Sequence, residues 1–425
     1  MLYYMKYDIT IIGGGIAGLY AAYKLCKYYP HKRIVVIEKQ TLGGNIQTRY
    51  KHLSNQSKKQ AKDESTYRQK LETGGAVLYE HQHNMHKLVK DLRIELIERD
   101  VVRDEKAYGH MKKVFEYIDT KVPHKEQVSK TLYELSGEVL SCEEVGYMIT
   151  QYGYMSEFYA TNAYNGKSNL TKEWMETSKI YFFKHGYTSV INSLLSYLQR
   201  NAQNVTIMTN TKVTEFKQTA NQYLVFYETP EKRTSSIQTN LLIHALPQTA
   251  LLKVKGFRGE EIERLSLSVQ ANHLCRIFVQ FDVTKSDWLK TIPFTNMNNP
   301  IQKLIPLNPS QGVYQISYSD YQYAQFWNTL TNDEIVETVK KYMGLYFPEK
   351  RSQIKKAKVL WVKKYYWRAG THLWKIGVDP KKECKKIRNI RKDMYIVGEA
   401  YSEEQGWSEG ALQSVNEAYR RILKN

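Results

Sequence analysis

The sequence predicts an α/β fold that is built on a parallel sheet and joined to a second, α+β domain. Two features near the N-terminus favour the parallel sheet. A short apolar strand at residues 7–12 runs into a glycine-rich turn, Gly13 to Gly18, which opens a helical segment. A second apolar strand follows at residues 33–38. A strand, a glycine turn, a helix and another strand in this order are typical of the βαβ unit of a Rossmann-like domain.

The glycine turn has the spacing of a dinucleotide-binding site. Gly13 permits a tight turn, Gly15 lets the backbone approach a pyrophosphate, and Gly18 allows the helix to pack against the strand. Phosphates would then lie on the helix N-terminus, where free N–H groups and the helix dipole favour anions. The turn residues expected to contact the dinucleotide are Gly13, Gly15, Ile16, Ala17 and Gly18.

An acidic residue at the end of the second strand supports this interpretation. Glu38 stands twenty residues after Gly18, the spacing that places a carboxylate on an adenosine ribose hydroxyl. We expect Glu38 and the adjacent Lys39 to lie at the ribose.

Later segments indicate that the nucleotide-binding domain is discontinuous. Strand patterns return at residues 205–209, 212–216, 222–227, 241–247 and 394–399, and a closing helix is expected at 410–423. We therefore assign residues 1–85, 205–255 and 385–425 to this domain. The substrate domain would comprise residues 86–204, which are mainly helical, and 256–384, where alternating apolar runs at 275–281 and 312–318 predict an antiparallel sheet followed by a helix at 333–346. The polar segment 51–70 is expected to be a surface loop.

Composition and the length of apolar segments indicate where the protein is located and whether cysteine-based metal or disulfide sites are expected. No segment approaches the roughly 20 apolar residues that a membrane helix needs, and the first strand begins within about seven residues of Met1, which leaves no room for a signal peptide. We therefore expect a cytoplasmic protein. The four cysteines form no CxxC pair, so that neither a metal site nor a disulfide framework is indicated.

The formal net charge of +19 leaves a nucleic-acid or anionic-surface partner open without favouring it. The lysines are dispersed along the chain and do not alternate with aromatic residues as a nucleic-acid platform would. Dispersed charge is usually a solvated surface.

Further motifs resemble those of the flavin-containing amine oxidase family, and the resemblance spans most of the chain. Gly43-Gly44 resembles the segment that approaches the pyrophosphate of FAD, and residues 72–76 resemble the acid-x-Gly-Gly-Ala segment beside the isoalloxazine ring. Val213 is similar to the residue of the adenine-contacting strand. The cofactor residues that the resemblance adds are Gly43, Gly44, Asn45, Gly74, Gly75, Ala76, Val213, Gly398, Glu399, Gly406, Trp407, Ser408 and Ala411.

The most specific match is the C-terminal run Gly406-Trp407-Ser408-Glu409-Gly410-Ala411. In the family this turn and the following helix N-terminus hold the ribityl chain and the flavin pyrimidine. A helix N-terminus there would stabilise negative charge on a reduced flavin.

The resemblance also implies a reaction. Trp407 occupies one wall of a substrate cage, and His372 aligns with the opposite wall. An amine would pass a hydride from its α carbon to flavin N5, giving an imine, and oxygen would reoxidise the flavin and form hydrogen peroxide. A small-molecule amine and oxygen are the expected partners.

The chain departs from the family pattern at positions that bear on this chemistry. Thr371 stands where several members carry a flavin-linked cysteine, which implies noncovalent FAD. Arg276 stands where the family places a lysine that reaches N5 through water, and this exchange is not conservative. Asn45 replaces an arginine that often follows the glycine pair. An L-amino-acid oxidase, a desaturase and a non-catalytic flavoprotein therefore remain alternatives.

Overall fold

A computed structural model of the chain describes residues 5–53, 68–284 and 286–424. The strands are β1 Met5–Ile12, β2 Ile34–Ile37, β3 Thr48–His52, β4 Arg68–Glu72, β5 Val77–Tyr79, β6 Leu96–Asp100, β7 Lys179–Phe183, β8 Val205–Met208, β9 Lys212–Gln218, β10 Tyr223–Glu228, β11 Thr234–His244, β12 Val269–Phe281, β13 Thr295–Asn296, β14 Lys303–Asn308, β15 Val313–Asp320, β16 Val359–Trp374 and β17 Met394–Ile396. The α-helices are α1 Ile16–Tyr28, α2 His83–Asp91, α3 Glu105–Lys121, α4 His124–Ser129, α5 Leu132–Gly137, α6 Cys142–Tyr152, α7 Ser156–Tyr159, α8 Ala163–Leu170, α9 Thr188–Asn201, α10 Gln248–Leu251, α11 Gly259–Ser268, α12 Tyr321–Thr329, α13 Asn332–Tyr346, α14 Arg351–Lys356, α15 Pro380–Arg388 and α16 Ser408–Ile422.

The largest sheet is the predicted Rossmann-like sheet. Its strand order is β8-β2-β1-β11-β10-β9, and β17 pairs with the end of β11. The strands β8, β2, β1, β11 and β17 are parallel, whereas β10 and β9 add an antiparallel extension. The prediction of an α/β fold with a sheet assembled from separated segments is confirmed, because its strands come from residues 5–37, 205–244 and 394–396.

Apolar residues cover both faces of this sheet. Helices α1, α9 and α16 pack on one face, where Ile9, Ile11 and Leu19 are buried in a common core. The other face buries Val35, Ile37 and further residues with parts of α11 and α15. Parallel sheets are normally covered on both faces in this way. The arrangement fixes the N-termini of α1 and α16 beside the carboxyl ends of the parallel strands.

The second part of the chain contains a helical layer and an antiparallel sheet, as expected. Helices α3 to α8 surround a core that includes Met111, Leu135 and Met148. The sheet has the order β13-β14-β15-β12-β16, and one of its faces packs on α12 and α13 through Ile277, Ile316 and other apolar residues. The domain boundaries themselves stay a prediction.

Three elements differ from the sequence prediction. The mainly helical block contains β6 and β7, which pair with each other, and the long strand β16 was not predicted. The expected surface loop at 51–70 begins and ends in a hairpin of β3 and β4, while its residues 54–67 lie outside the described part of the chain. In each case pairing with a distant segment determines the structure, and local sequence carries little of that information.

Candidate active site

The first corner of the site is the turn between β1 and α1. Gly13 has φ +110°, and a Cβ on it would lie 2.4 Å from the Ala245 carbonyl oxygen. A Cβ on Gly18 would lie 1.9 Å from the Gly13 carbonyl oxygen, so that both glycines are required by packing. A Cβ on Gly15 meets only the Gly44 Cα, at 3.9 Å. Gly15 is the N-cap of α1 and gives no side-chain cap, which leaves the N–H groups of the first turn open to an anion.

The end of β2 lies against this turn. The Glu38 carboxylate accepts hydrogen bonds from the N–H groups of Gly14 at 2.8 Å and Gln40 at 2.9 Å, and Lys39 beside it is exposed. Gly43 N–H donates to the Gly14 carbonyl at 2.9 Å. The glycine pair and the dinucleotide turn are therefore adjacent.

Two predicted cofactor residues hold the surrounding segments together. The Asn45 amide donates to the carbonyls of Ala369 and Gly370, both at 2.9 Å, and so ties the glycine pair to β16. Val213 is buried in β9. The start of that strand lies beside β2, because Thr211 N–H donates to the Glu38 carbonyl at 2.9 Å.

The Gly-Gly-Ala segment packs against Asn45, the residue that follows the glycine pair. Gly75 N–H donates to the Asn45 carbonyl at 3.0 Å, and a Cβ on Gly74 would lie 1.9 Å from that same oxygen. Ala76 follows and leads into β5. The close backbone approach explains why this segment needs glycine.

The C-terminal corner is the turn between β17 and α16. Gly398 has φ +125° and open space where a Cβ would stand, and Gly406 has φ +87°. Helix α16 starts at Ser408, and its N-cap, Trp407, gives no side-chain hydrogen bond to the helix. This second open helix N-terminus belongs to a helix that packs on α1, and Ala411 is buried at their junction.

His372, the predicted wall opposite Trp407, has a buried side chain that is hydrogen-bonded at both ring nitrogens. Its side chain is only 2% exposed, with Nδ1 2.8 Å from Glu399 Oε2 and Nε2 accepting from Gln248 N–H at 3.3 Å. Glu399 Oε1 also accepts the N–H groups of His372 and Gly406, at 2.8 and 2.7 Å. The histidine is thus tied through Glu399 to the C-terminal corner.

Trp407 faces a different partner. Its ring meets the Tyr79 ring edge-on, with 4.8 Å between centroids. Its indole N–H donates to Glu173, whose other oxygen accepts from Tyr152 Oη at 2.8 Å. Burial raises the pKa of Glu173 to about 7. Glu173 lies in a π-helical turn, Thr171–Met175, and such turns are frequent at functional sites.

The antiparallel sheet presents a row of polar residues to this region. Lys303, Tyr318, Arg276 and Tyr365 are neighbours in register on β14, β15, β12 and β16. The Arg276 guanidinium lies 3.9 Å from the Tyr318 ring centroid and donates to the Glu72 carbonyl at 3.0 Å. Arg276 is therefore buried beside the Gly-Gly-Ala segment, on the same side as Trp407 and Tyr79.

The structure gathers residues that sequence reasoning did not find. These are Tyr79, Tyr152, Tyr154, Glu157, Glu173, Lys303 and Tyr318. Tyr79 was signalled weakly, because it stands three residues after Ala76 of a recognised motif. The others come from segments without a motif, and strand register or helix packing places them.

This geometry defines a class of protein: a Rossmann-like dinucleotide-binding fold whose glycine corners lie near a cluster of aromatic and polar side chains. The sequence profile of the NAD(P)-binding Rossmann-like domain matches residues 11–92. The profile of the flavin containing amine oxidoreductases matches residues 134–423. The chain belongs to the flavin-containing amine oxidoreductase family and is a flavin-dependent oxidoreductase.

Individual relatives agree with the fold. Two solved structures of putrescine oxidase, the wild type bound to putrescine and a double mutant from a redesign of its cofactor binding, each align with a TM-score of 0.74 and 13% identity, over 99% of this chain and 100% of theirs. An uncharacterized protein of Acanthamoeba polyphaga mimivirus is 22% identical over 97% of this chain and 93% of its own length.

Three further observations concern metals, membranes and cysteines. Among the residues that the structure describes, no group of three or more His, Cys, Asp and Glu side chains is placed to hold a metal ion. No helix within the described ranges is long and apolar enough to cross a membrane. All four cysteines are free thiols.

Proposed function

We propose that the chain is an FAD-dependent oxidase of small-molecule amines. Bound FAD would supply the redox chemistry, taking a hydride from the amine α carbon at N5 to give an imine and passing the electrons to oxygen to give hydrogen peroxide. The protein's task is to bind and orient both partners and to exclude water.

The residues present fit FAD. Gly15 and Gly398 leave open space where a side chain would otherwise stand, and both α1 and α16 begin without a side-chain cap. The first helix N-terminus would hold the pyrophosphate, and Glu38 the adenosine ribose. The second helix N-terminus, with Ser408 and Ala411, would hold the flavin pyrimidine.

One observation carries the proposal beyond cofactor binding: the edge-on contact of Trp407 with Tyr79 beside the C-terminal cofactor corner. The two rings supply apolar walls that favour a neutral amine over an ammonium. Glu173 fixes the indole by accepting its N–H. In this arrangement Tyr79, rather than His372, would be the second wall, and His372 would be a positioning residue.

Noncovalent binding of FAD is supported by Thr371. Its hydroxyl accepts the Asn272 amide at 3.3 Å, and an alcohol does not form the thioether that a cysteine forms with a flavin. The cytoplasmic location stays a prediction from the sequence.

A second candidate, oxidation of an amino acid, is favoured by Arg276, because a guanidinium can bind a carboxylate through two hydrogen bonds. Against it, the Arg276 group already contacts the Glu72 carbonyl and the Tyr318 ring. The amine interpretation is therefore the better supported one.

The test begins with the absorbance spectrum of the purified protein before and after acid precipitation. We expect a flavin spectrum whose colour moves to the supernatant on precipitation. Primary amines should then bleach the flavin without oxygen and release peroxide with it, whereas amino acids should do so poorly. A folded protein that takes up no added FAD would disprove the proposal, and bleaching by amino acids alone would select the second candidate.

A further inference from the structure

A half-buried lysine side chain lies beside the aromatic walls of the proposed amine site. Lys303 Nζ lies 3.4 Å from the centroid of the Tyr154 ring and 5.5 Å from that of Tyr152. The stem of the lysine runs over Gly153, where a Cβ would lie 2.3 Å from Lys303 Cε. The loop between α6 and α7 thus packs against the lysine side chain, and Gly153 leaves the space that this side chain occupies.

Three carboxylates lie close enough to attract this ammonium group. Glu173 is held by Tyr152 Oη at 2.8 Å, and Glu157 accepts from Ser156 Oγ at 2.9 Å. Asp320 accepts the Ser156 N–H at 2.8 Å and the amide of Gln302, the residue before Lys303, at 2.7 Å. All three attract the lysine charge, while burial lowers the pKa of Lys303 to about 8.

This acidic pocket is connected to the aromatic walls. Glu173 accepts the Trp407 indole N–H with one oxygen and the Tyr152 hydroxyl with the other. The Lys303 ammonium is therefore linked to the Trp407 wall through the Tyr152 ring and the Glu173 carboxylate. A cation over an aromatic ring within an acidic pocket is the environment that a substrate ammonium group would need.

We infer that the ammonium group of Lys303 takes the place of a second substrate ammonium, so that the site accepts monoamines and excludes diamines. The inference rests on the proposed function. The second cation of a diamine would meet the cations of Lys303 and Arg276, and repulsion between like charges in a desolvated site is costly. The lysine stem also fills the space over Gly153.

Two variants and a control separate this role from a merely structural one. Lys303→Met removes the charge and keeps an apolar stem, whereas Lys303→Arg keeps the charge. Lys363→Met, an exposed lysine on β16, is the matched control. The probes are putrescine, cadaverine and hexamethylenediamine, each paired with the monoamine of the same chain length. The readouts are the melting temperature and the dissociation constant from calorimetry, and the flavin content of each sample tests the proposed function separately.

Lys303→Met lacks the cation that its neighbouring carboxylates attract in the wild type. We therefore expect at least one diamine to bind this variant about tenfold more tightly than the monoamine of the same length. The same diamine should also raise the melting temperature of the variant. The wild type, Lys303→Arg and Lys363→Met should prefer the monoamine. Adding Glu157→Gln to Lys303→Met should weaken diamine binding. A wild type that prefers diamines, or a Lys303→Met variant that no diamine stabilises more than its monoamine, would overturn the inference even in samples that hold a full complement of flavin.

Discussion

Glu399 and His372 form a buried hydrogen-bonded pair, with 2.8 Å between Oε2 and Nδ1. Because Nε2 accepts from the Gln248 N–H, the ring carries its proton at Nδ1 and donates it to the carboxylate. The same carboxylate binds the Gly406 N–H at 2.7 Å. The pair therefore links the end of β16 to the turn that presents Trp407.

The first prediction concerns this pair. His372→Ala leaves Glu399 Oε2 and the Gln248 N–H without their hydrogen-bond partner, so that the free energy of unfolding should fall by about 2 kcal/mol, measured by urea denaturation of the protein without FAD. His372→Asn, which keeps an amide donor, should recover part of the loss. If His372→Ala unfolds like the wild type yet loses amine turnover, the residue is a substrate wall and our placement of its role is wrong.

The second prediction separates the roles of two glycines in one turn. Gly15 has φ −75° and open space around a Cβ, so that Gly15→Val should leave the melting temperature of the FAD-free protein unchanged. Its side chain would occupy the space proposed for the pyrophosphate, and FAD affinity should fall by about a hundredfold or more, as measured by flavin fluorescence.

Gly18→Ala is the contrasting change in that turn. The added Cβ meets the Gly13 carbonyl oxygen at 1.9 Å, which forces α1 away from β1. This variant should lose stability before FAD is added. Equal effects of the two substitutions on the FAD-free protein would contradict the assignment of Gly15 to the cofactor.

These contrasts show what the sequence could predict. The turn from Gly13 to Gly18 and the carboxylate of Glu38 follow from local spacing, because a strand, a tight turn and a helix fix their own geometry. The open helix start at Ser408 was also accessible, through a motif. Such features need no knowledge of distant segments.

The substrate side of the site was less accessible for a physical reason. Lys303, Tyr318 and Arg276 form a row only because β14, β15 and β12 pair in one register. A shift of one residue would turn each side chain to the opposite face. His372 aligns with a wall position, and the structure adds a buried hydrogen bond to the carboxylate of Glu399, which sequence spacing does not reveal.

The third prediction uses the pH dependence of stability. Burial raises the pKa of Glu173 to about 7 from its usual value of 4.5. Between these values the folded chain holds a proton that the unfolded chain has lost, so that Glu173 makes the free energy of unfolding fall as the pH rises. Glu173→Gln lacks this proton. The free energy of unfolding of the variant, relative to that of the wild type, should therefore rise by about 2 kcal/mol between about pH 5 and about pH 8.

Urea denaturation of both proteins at the two pH values measures this gain. Glu143→Gln, a change at an exposed position of α6, should show no comparable gain and serves as the control. If the difference in free energy of unfolding between the wild type and Glu173→Gln is the same at both pH values, the pKa of Glu173 is not raised and the prediction is wrong.

The fourth prediction concerns the reaction with oxygen. Arg276 stands where the flavin-containing amine oxidase family places a lysine that reaches N5 through water. The Arg276 guanidinium contacts the Glu72 carbonyl and the Tyr318 ring. A lysine ammonium is compact and carries three rotatable donors, so that it can hold a water molecule that the fixed guanidinium cannot. Arg276→Lys should therefore speed the reoxidation of the reduced protein by oxygen about tenfold, a change of about 1.4 kcal/mol in the barrier.

Stopped-flow absorbance after anaerobic reduction measures that rate, and Arg368→Lys, at an exposed position of β16, is the control. FAD affinity should stay the same in both variants, because a lysine at position 276 can still donate to the Glu72 carbonyl and Arg368 is exposed. If Arg276→Lys instead weakens the binding of amino acids and leaves reoxidation unchanged, the guanidinium serves a substrate carboxylate. The residues that limit the reaction with oxygen would then have to be sought at the proposed aromatic walls, where Trp407 and Tyr79 would control the approach to the flavin.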